Sequence, residues 1–261
     1  MEGIFMRLLI LNRRSLLTAS LCLIAGIAAL SVSITSVGKS VQTAAEPKTN
    51  PIYRVESGKK QVAISFDAAW GNEETPQLLK ILDEQNVKAT FFLVGEWVDK
   101  YPDDVKTIAA RGHDIGNHSN THPHMPQLSK DTACAEIKAC NDKICKLTGS
   151  APTLFRPPYG DYDNMVVDSV KQMGMYCVQW DVDSLDWKDP SPEQMTKTVL
   201  DKVKDGSIVL MHNGAKNTPA ALPGIIKGIK DKGFEIVLIK DLIPEGEYYT
   251  DVQGEFHLME N

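Results

Sequence analysis

The sequence predicts an α/β fold in which about seven short parallel strands curl into a closed or partly open (β/α) barrel. Three observations point there. Short β-rich runs alternate with longer helical runs through the whole globular part. The first strand runs into Asp67-Ala68-Ala69-Trp70-Gly71, which lacks the Gly-rich phosphate cradle expected of an open doubly wound sheet. Polar side chains able to do chemistry recur at one strand end after another, where β/α barrels gather their functional groups.

The elements follow in order. Arg13 and Arg14 precede an uncharged apolar run over 16–37, long enough to span a bilayer. Positive residues ahead of such a run place the downstream chain outside the cytoplasm. Residues 1–37 are therefore expected to be a membrane anchor or a cleaved signal, with Thr43-Ala44-Ala45 as an available cleavage site. The polar, small-residue stretch 38–58 reads as a tether. The folded domain is expected over 59–243, with 244–261 as a trailing surface segment.

Within the domain, strands are expected at 61–66, 89–94, 114–117, 153–156, 175–180, 207–211 and 235–239. Helices are expected at 74–85, 98–111, 129–147, 163–173, 191–203 and 219–232. Gly112, Gly149, Gly174 and Gly233 close four of them, and Ser191-Pro192 suits an N-cap and first turn.

The net charge of -6, without a basic stripe, argues against a nucleic-acid partner. A neutral glycan is compatible with it. Cys22 falls in the apolar run, and Cys134, Cys140, Cys145 and Cys177 in the globular part, at spacings that fit no zinc ribbon. Buried or free thiols are the expected state, with a disulfide from the 129–147 helix to Cys177 as the alternative.

The strand ends carry Asp67, then Asn117-His118-Ser119-Asn120-Thr121-His122, Arg156-Pro157-Pro158-Tyr159-Gly160, Asp181 with Asp183 and Asp186-Trp187, and finally Met211-His212-Asn213. Read as one turn of helix, the four-residue spacing of His118 and His122 puts both rings on one face, able to grip one metal ion. His124 lies close by. Each residue alone has a bland origin: a solvated carboxylate, a core histidine, an ion-paired arginine. Random surface polarity does not account for five strand ends at once.

These segments resemble the motifs of the NodB-type polysaccharide deacetylases, carbohydrate esterase family four, and stand in that family's order. They are Ser65-Phe66-Asp67, His118-Ser119-Asn120-Thr121-His122, Arg156-Pro157-Pro158-Tyr159-Gly160, Asp183-Ser184-Leu185-Asp186-Trp187 and Leu210-Met211-His212. The resemblance implies a distorted, partly open (β/α) barrel and a hydrolase that removes acetyl groups with a divalent metal, zinc first and cobalt or manganese as alternatives. It implies Asp67 as general base, His212 as general acid, and Arg156 and Asp186 as the groups that tune them. It also implies His118 and His122 as metal ligands, and Tyr159, Pro158 and Trp187 as substrate contacts.

An anchored or secreted monomeric enzyme working on peptidoglycan or a chitin-like polymer fits the whole pattern. The anchor and compact domain are similar to sporulation-associated deacetylases. An esterase acting on O-acetyl groups, as on xylan, would use the same site. The sequence departs from the family at one place. The family's first motif has a second, metal-binding aspartate where this chain has Ala68. A catalytically impaired glycan-binding protein is the reading that this departure supports.

Overall fold

A computed structural model describes residues 49–55 and 58–259. The expected anchor and most of the expected tether lie outside the described residues. Among those described, no helix is long and apolar enough to cross a membrane.

The domain alternates strand and helix: β1 (Gln61–Ala68), α1 (Thr75–Glu84), β2 (Thr90–Leu93), α2 (Gly95–Lys100), α3 (Pro102–Ala110), β3 (Asp114–Asn117), α4 (Lys130–Thr148), β4 (Leu154–Phe155), α5 (Asn164–Gln172) and β5 (Tyr176–Cys177). It continues through β6 (Val182–Asp183), α6 (Pro192–Lys202), β7 (Ile208–His212), α7 (Thr218–Asp231), β8 (Glu235–Val237) and α8 (Ile239–Leu242) to β9 (Tyr248–Thr250) and β10 (Phe256–Leu258). The main sheet is parallel throughout and ordered β5-β4-β3-β2-β1-β7-β6, with β8 pairing the first half of β1.

That order forces the sheet to curl. Between β5 and β6 only residues 178–181 intervene. Five residue steps reach at most about 18 Å. Six strand spacings laid flat would need roughly 29 Å. The two edge strands are therefore drawn toward each other, and the sheet becomes a half-barrel. Of the expected strand 175–180, only Tyr176–Cys177 forms β5; the rest belongs to the crossover that leads to β6, a short strand not expected, on the opposite edge.

β1 is the axis of the fold. Val62, Ile64, Phe66 and Ala68 face outward into the layer between sheet and helices, with Leu78, Leu82, Phe91, Val182 and Ile225. Ala63 faces the other way, into a cluster with Phe92, Val178 and Ile208. Burial on both faces is why the strand reads as a nearly continuous apolar run.

The other differences from the expected elements have local causes. The helix expected at 98–111 is broken into α2 and α3 at Tyr101 (φ -129°, ψ 54°), because the residue before Pro102 is pushed out of the helical region. The trailing segment is no loose tail: β9 and β10 form an antiparallel hairpin whose Phe256 is buried. Residues 49–55 of the expected tether pack on the domain, with Ile52 and Val55 buried, Ile52 bridging Val178, and Arg54 paired with Glu255. Apolar side chains in a polar stretch were the missed signal there. The helix α4 is as expected: Ser129 caps its start and Gly149, at φ 78°, its end. All four globular cysteines are free thiols.

Phe66 is fully buried and stacks on Phe91, ring centroids 5.0 Å apart. Phe66→Ala is expected to cost about 3–5 kcal/mol of stability, read as a lowered urea midpoint with an unchanged slope.

Candidate active site

Strand register decides which side chains meet. Asp67 of β1 stands opposite His212 of β7 and Phe92 of β2. Leu93 stands opposite Asn117, and Asn117 opposite Phe155. His118 and Arg156 therefore emerge side by side, each one residue past its strand pairing. A cavity of about 380 Å³ opens over these ends, lined among others by Asp67, Trp70, His118, His122, Tyr159 and His212. A larger groove of about 780 Å³ beside β10 gathers none of the residues singled out by their motifs.

Arg156 and Asp186 each lie beside one of the groups that the resemblance has them tune. Arg156 Nη1 donates to Asp67 Oδ1 at 2.7 Å, and Nη2 donates to the Gln179 carbonyl at 3.0 Å. Arg156 is fully buried and Asp67 nearly so. Burial alone would raise the Asp67 pKa, but the Arg156 guanidinium, with smaller help from His118 and His212, holds it below the ordinary value. On the adjacent strand, His212 Nδ1 meets Asp186 Oδ1 at 2.7 Å. Asp186 Oδ2 accepts from the His212 backbone N–H at 2.6 Å and from the Thr218 hydroxyl at 2.8 Å. Burial pulls the His212 pKa down, but the hydrogen bond and charge of Asp186, joined by Asp67 and Asp183, raise it overall. Arg156 and Asp186 thus act from behind, each setting the charge of the group that lines the cavity.

His118 and His122 are brought together by a loop and not by the helical turn that their spacing suggests. Ser119 (φ 67°) and His122 (φ 60°) adopt left-handed backbone that non-glycine residues seldom take. The loop is held by Asn117 Oδ1 on the Ser119 N–H, by the Ser119 hydroxyl on the His122 N–H, and by Glu136 of α4 on the N–H groups of Asn120 and Thr121. Glu136, an ordinary helix-surface residue in the sequence, gave no sign of this role. His118 Nδ1 lies 2.7 Å from the Arg156 carbonyl, which can only accept, so Nε2 carries the lone pair. Nε2 of His118 and Nε2 of His122 are 3.3 Å apart. Two imidazoles bound to one tetrahedral ion at about 2.0–2.1 Å would place their nitrogens about that far apart. Burial lowers both pKa values, that of His122 to about 4, so both rings are neutral and fit to coordinate.

The residues present thus fit a metal at two ligands. Among the described residues, no group of three or more His, Cys, Asp or Glu side chains is spaced to hold an ion. Ala68 is fully buried in the outer core and does not line the cavity.

Tyr159 sits at φ 60° in the turn after β4, stacked on His124 at 4.3 Å and edge-on to His122 at 4.4 Å. Trp187 is 55% exposed, so it is a cavity wall and not core packing. Pro158 is the buried first residue of the Tyr159 turn and does not line the cavity. Asp181 is structural, its carboxylate accepting from the Ser207 hydroxyl and the Ile208 N–H. Trp70, Trp180 and Thr218 were not expected here. Only the exposed tryptophan in a turn of small residues, Trp70, offered a hint.

A family model described as polysaccharide deacetylase matches residues 54–178. An uncharacterised Bacillus subtilis protein is 38% identical over 195 residues, covering 75% of this chain and 61% of that one, so this chain spans under two thirds of that relative. The Bacillus cereus peptidoglycan-N-acetylglucosamine deacetylase is 37% identical over 188 residues, covering 70% of this chain and 68% of that one. Among solved structures, a CE4 family pseudoenzyme from Bacillus anthracis aligns with a TM-score of 0.71 and 38% identity, over 74% of this chain and 68% of that one. A mutant of that pseudoenzyme, described as having restored enzymatic activity, aligns with a TM-score of 0.71 and 39% identity, over 74% of this chain and 70% of that one.

Removing the guanidinium strands the Asp67 carboxylate in the interior. Arg156→Met is expected to destabilise the fold by about 3–5 kcal/mol, and Asp67→Leu/Arg156→Met to recover most of that loss. Thermal or urea unfolding of the two variants checks this. A double variant no more stable than the single would show that the pair is not the interaction being lost.

Proposed function

As the chain belongs to the polysaccharide deacetylase family, we propose that it hydrolyses N-acetyl groups on the sugars of cell-wall peptidoglycan. The observation that carries this reading is the pairing of charges across one cavity. A carboxylate whose ionised form Arg156 favours and an imidazole whose protonated form Asp186 favours open onto the same space. That is the arrangement required of a general base and a general acid. The name of the Bacillus cereus relative supports peptidoglycan as the polymer. The apolar run behind Arg13 and Arg14 supports a domain held outside the membrane.

His118 and His122 would hold a divalent metal, zinc by the chemistry of the donors, and a metal bound there supplies polarisation of the acetyl carbonyl and a more acidic water. The protein groups do the rest. Asp67 takes the proton from the attacking water at Oδ2, while Oδ1 stays on Arg156. The water oxygen adds to the carbonyl carbon and the C–N bond breaks. His212 delivers the proton at Nε2 to the departing amine, leaving acetate and a free amino sugar. Nδ1 remains on Asp186 throughout, which fixes the ring. Trp187 and Tyr159 wall the cavity, where the acetyl group and a sugar face would lie.

One observation favours a second reading, a glycan-binding protein without hydrolysis. Ala68 leaves the metal one carboxylate short of the family pattern, and the chain resembles a CE4 family pseudoenzyme. Acetate release from peptidoglycan and chitin oligomers, with zinc, cobalt, manganese or no metal, separates the two. The deacetylase reading expects metal-dependent release that falls at least about 100-fold in Asp67→Asn and in His212→Ala. Tight oligosaccharide binding with no acetate under any metal selects the other.

The pH dependence follows from His212. Burial opposes the charged ring, but the Asp186 hydrogen bond and charge raise the His212 pKa overall, so the acid form survives to higher pH than in a free imidazole and is lost as pH rises through the raised value. The rate should fall on the alkaline side, and Asp186→Asn should move that fall to lower pH because burial then acts with less opposition. An alkaline limb unmoved by Asp186→Asn would assign it to another group.

Ala68→Asp tests the metal site itself. Position 68 faces the outer core in this structure, so only a carboxylate that turns the strand end toward the two imidazoles would become a third ligand. That outcome would raise zinc affinity about 10- to 100-fold, measured by calorimetry. Equal affinity in a folded variant would show that position 68 stays turned toward the outer core, away from the two imidazoles.

A further inference from the structure

The loop after β1 carries an aromatic side chain that the proposed reaction does not use. Trp70 is 46% exposed, yet it is closely held. Its indole lies against the His212 imidazole, ring centroids 5.0 Å apart and planes inclined by 31°. Gly214 passes behind it: a Cβ there would stand 2.5 Å from the Trp70 carbonyl oxygen, 2.7 Å from Nε1 and 2.8 Å from Cδ1. Only glycine lets the loop settle in this place. On the other flank, the Gly71 carbonyl accepts from the Trp97 indole N–H at 2.6 Å and from Asn213 Nδ2 at 3.3 Å. The loop that carries Trp70 is thus tied to α2 and to the end of β7 through Gly71, while the indole itself lies against His212 and Gly214 and lines the cavity.

His212 is fixed in its own plane by Asp186, but a hydrogen bond at one ring nitrogen leaves the ring free to tilt. The carboxylates facing it are Asp186 from the turn before α6, Asp67 from β1 and Asp183 from β6. An aromatic face beside it supplies what they do not: a flat contact that resists tilt, and a quadrupole that favours a cation on the ring face.

We propose that Trp70 is a positioning residue for His212, its indole holding the imidazole with Nε2 turned into the cavity and favouring the charged ring by cation–π attraction. The kinetic consequence rests on the deacetylase reading. The ring contact does not, so the two can fail separately.

Two measurements on the full chain decide it. In the NMR spectrum, the His212 ring protons should carry an upfield ring-current shift that disappears in Trp70→Ala. It should also shrink in Gly214→Ala, where the indole is displaced but present. In acetate release, Trp70→Ala should lower kcat about three- to thirty-fold, the range of a cation–π contact, with KM within about twofold. Trp70→Phe should recover most of the loss, which a merely structural role would not do. His212 resonances unchanged in both folded variants would overturn the proposal. So would a raised KM at constant kcat, since Trp70 would then be a sugar-binding surface. Should the wild-type protein release no acetate, the deacetylase reading fails and the His212 resonances alone decide for Trp70.

Discussion

The buried pair of Asp67 and Arg156 is the constraint that governs the site. A carboxylate and a guanidinium both withdrawn from water are costly unless each satisfies the other, and their geometry must then be kept. Arg156 commits one nitrogen to Asp67 and another to the Gln179 carbonyl. Its own carbonyl receives His118 Nδ1. One residue therefore sets the charge of Asp67, fixes the tautomer of His118, and ties β4 to the segment that crosses between the sheet edges. The site tolerates little change at this point because three functions share one residue.

The curl of the sheet supplies the other half of the geometry. Asp67 and His212 are neighbours through register alone. Asp183 and Trp187 reach the same cavity only because the short crossover draws β6 round to the far side of β7. An open sheet with the same strand ends would spread these groups along a line. The half-barrel turns the line into a ring, with Asp67 and His212 adjacent and the His118 and His122 imidazoles beside Asp67.

The proposed metal position is the least complete part of the site. Two neutral imidazoles with facing nitrogens suit one tetrahedral ion, but Ala68 lies in the outer core where the family pattern has a carboxylate. A catalytic zinc commonly has three protein ligands and an open position. The charge pairs that the proposed acid and base require are both present, whereas the proposed metal would have two protein ligands. That imbalance is why hydrolysis and binding without hydrolysis are both physical options for one constellation of residues, and why metal affinity is as informative here as rate.

The parallel α/β class was legible in the amino-acid order alone, because apolar runs of strand and helix length alternate along the chain and burial on both faces leaves its mark on β1. So were the identities of Asp67, His118, His122, Arg156, Asp186 and His212 as the groups at strand ends, since chemistry-bearing residues recurring there are hard to attribute to surface polarity. How they are held was settled by tertiary contacts. The spacing of His118 and His122 suggested a helical turn, whereas a loop with two left-handed residues presents them, braced by Glu136 from a distant helix. The shortening of the expected strand 175–180 to β5, the placing of β6 on the opposite edge, and the packing of residues 49–55 and 248–258 on the domain depend on contacts between segments far apart in the chain. So does the lodging of Trp70 between His212 and Gly214. Local periodicity records which face of an element is buried. It does not record what the element is buried against, because that partner is chosen by register, curl and the space left over once the core has closed.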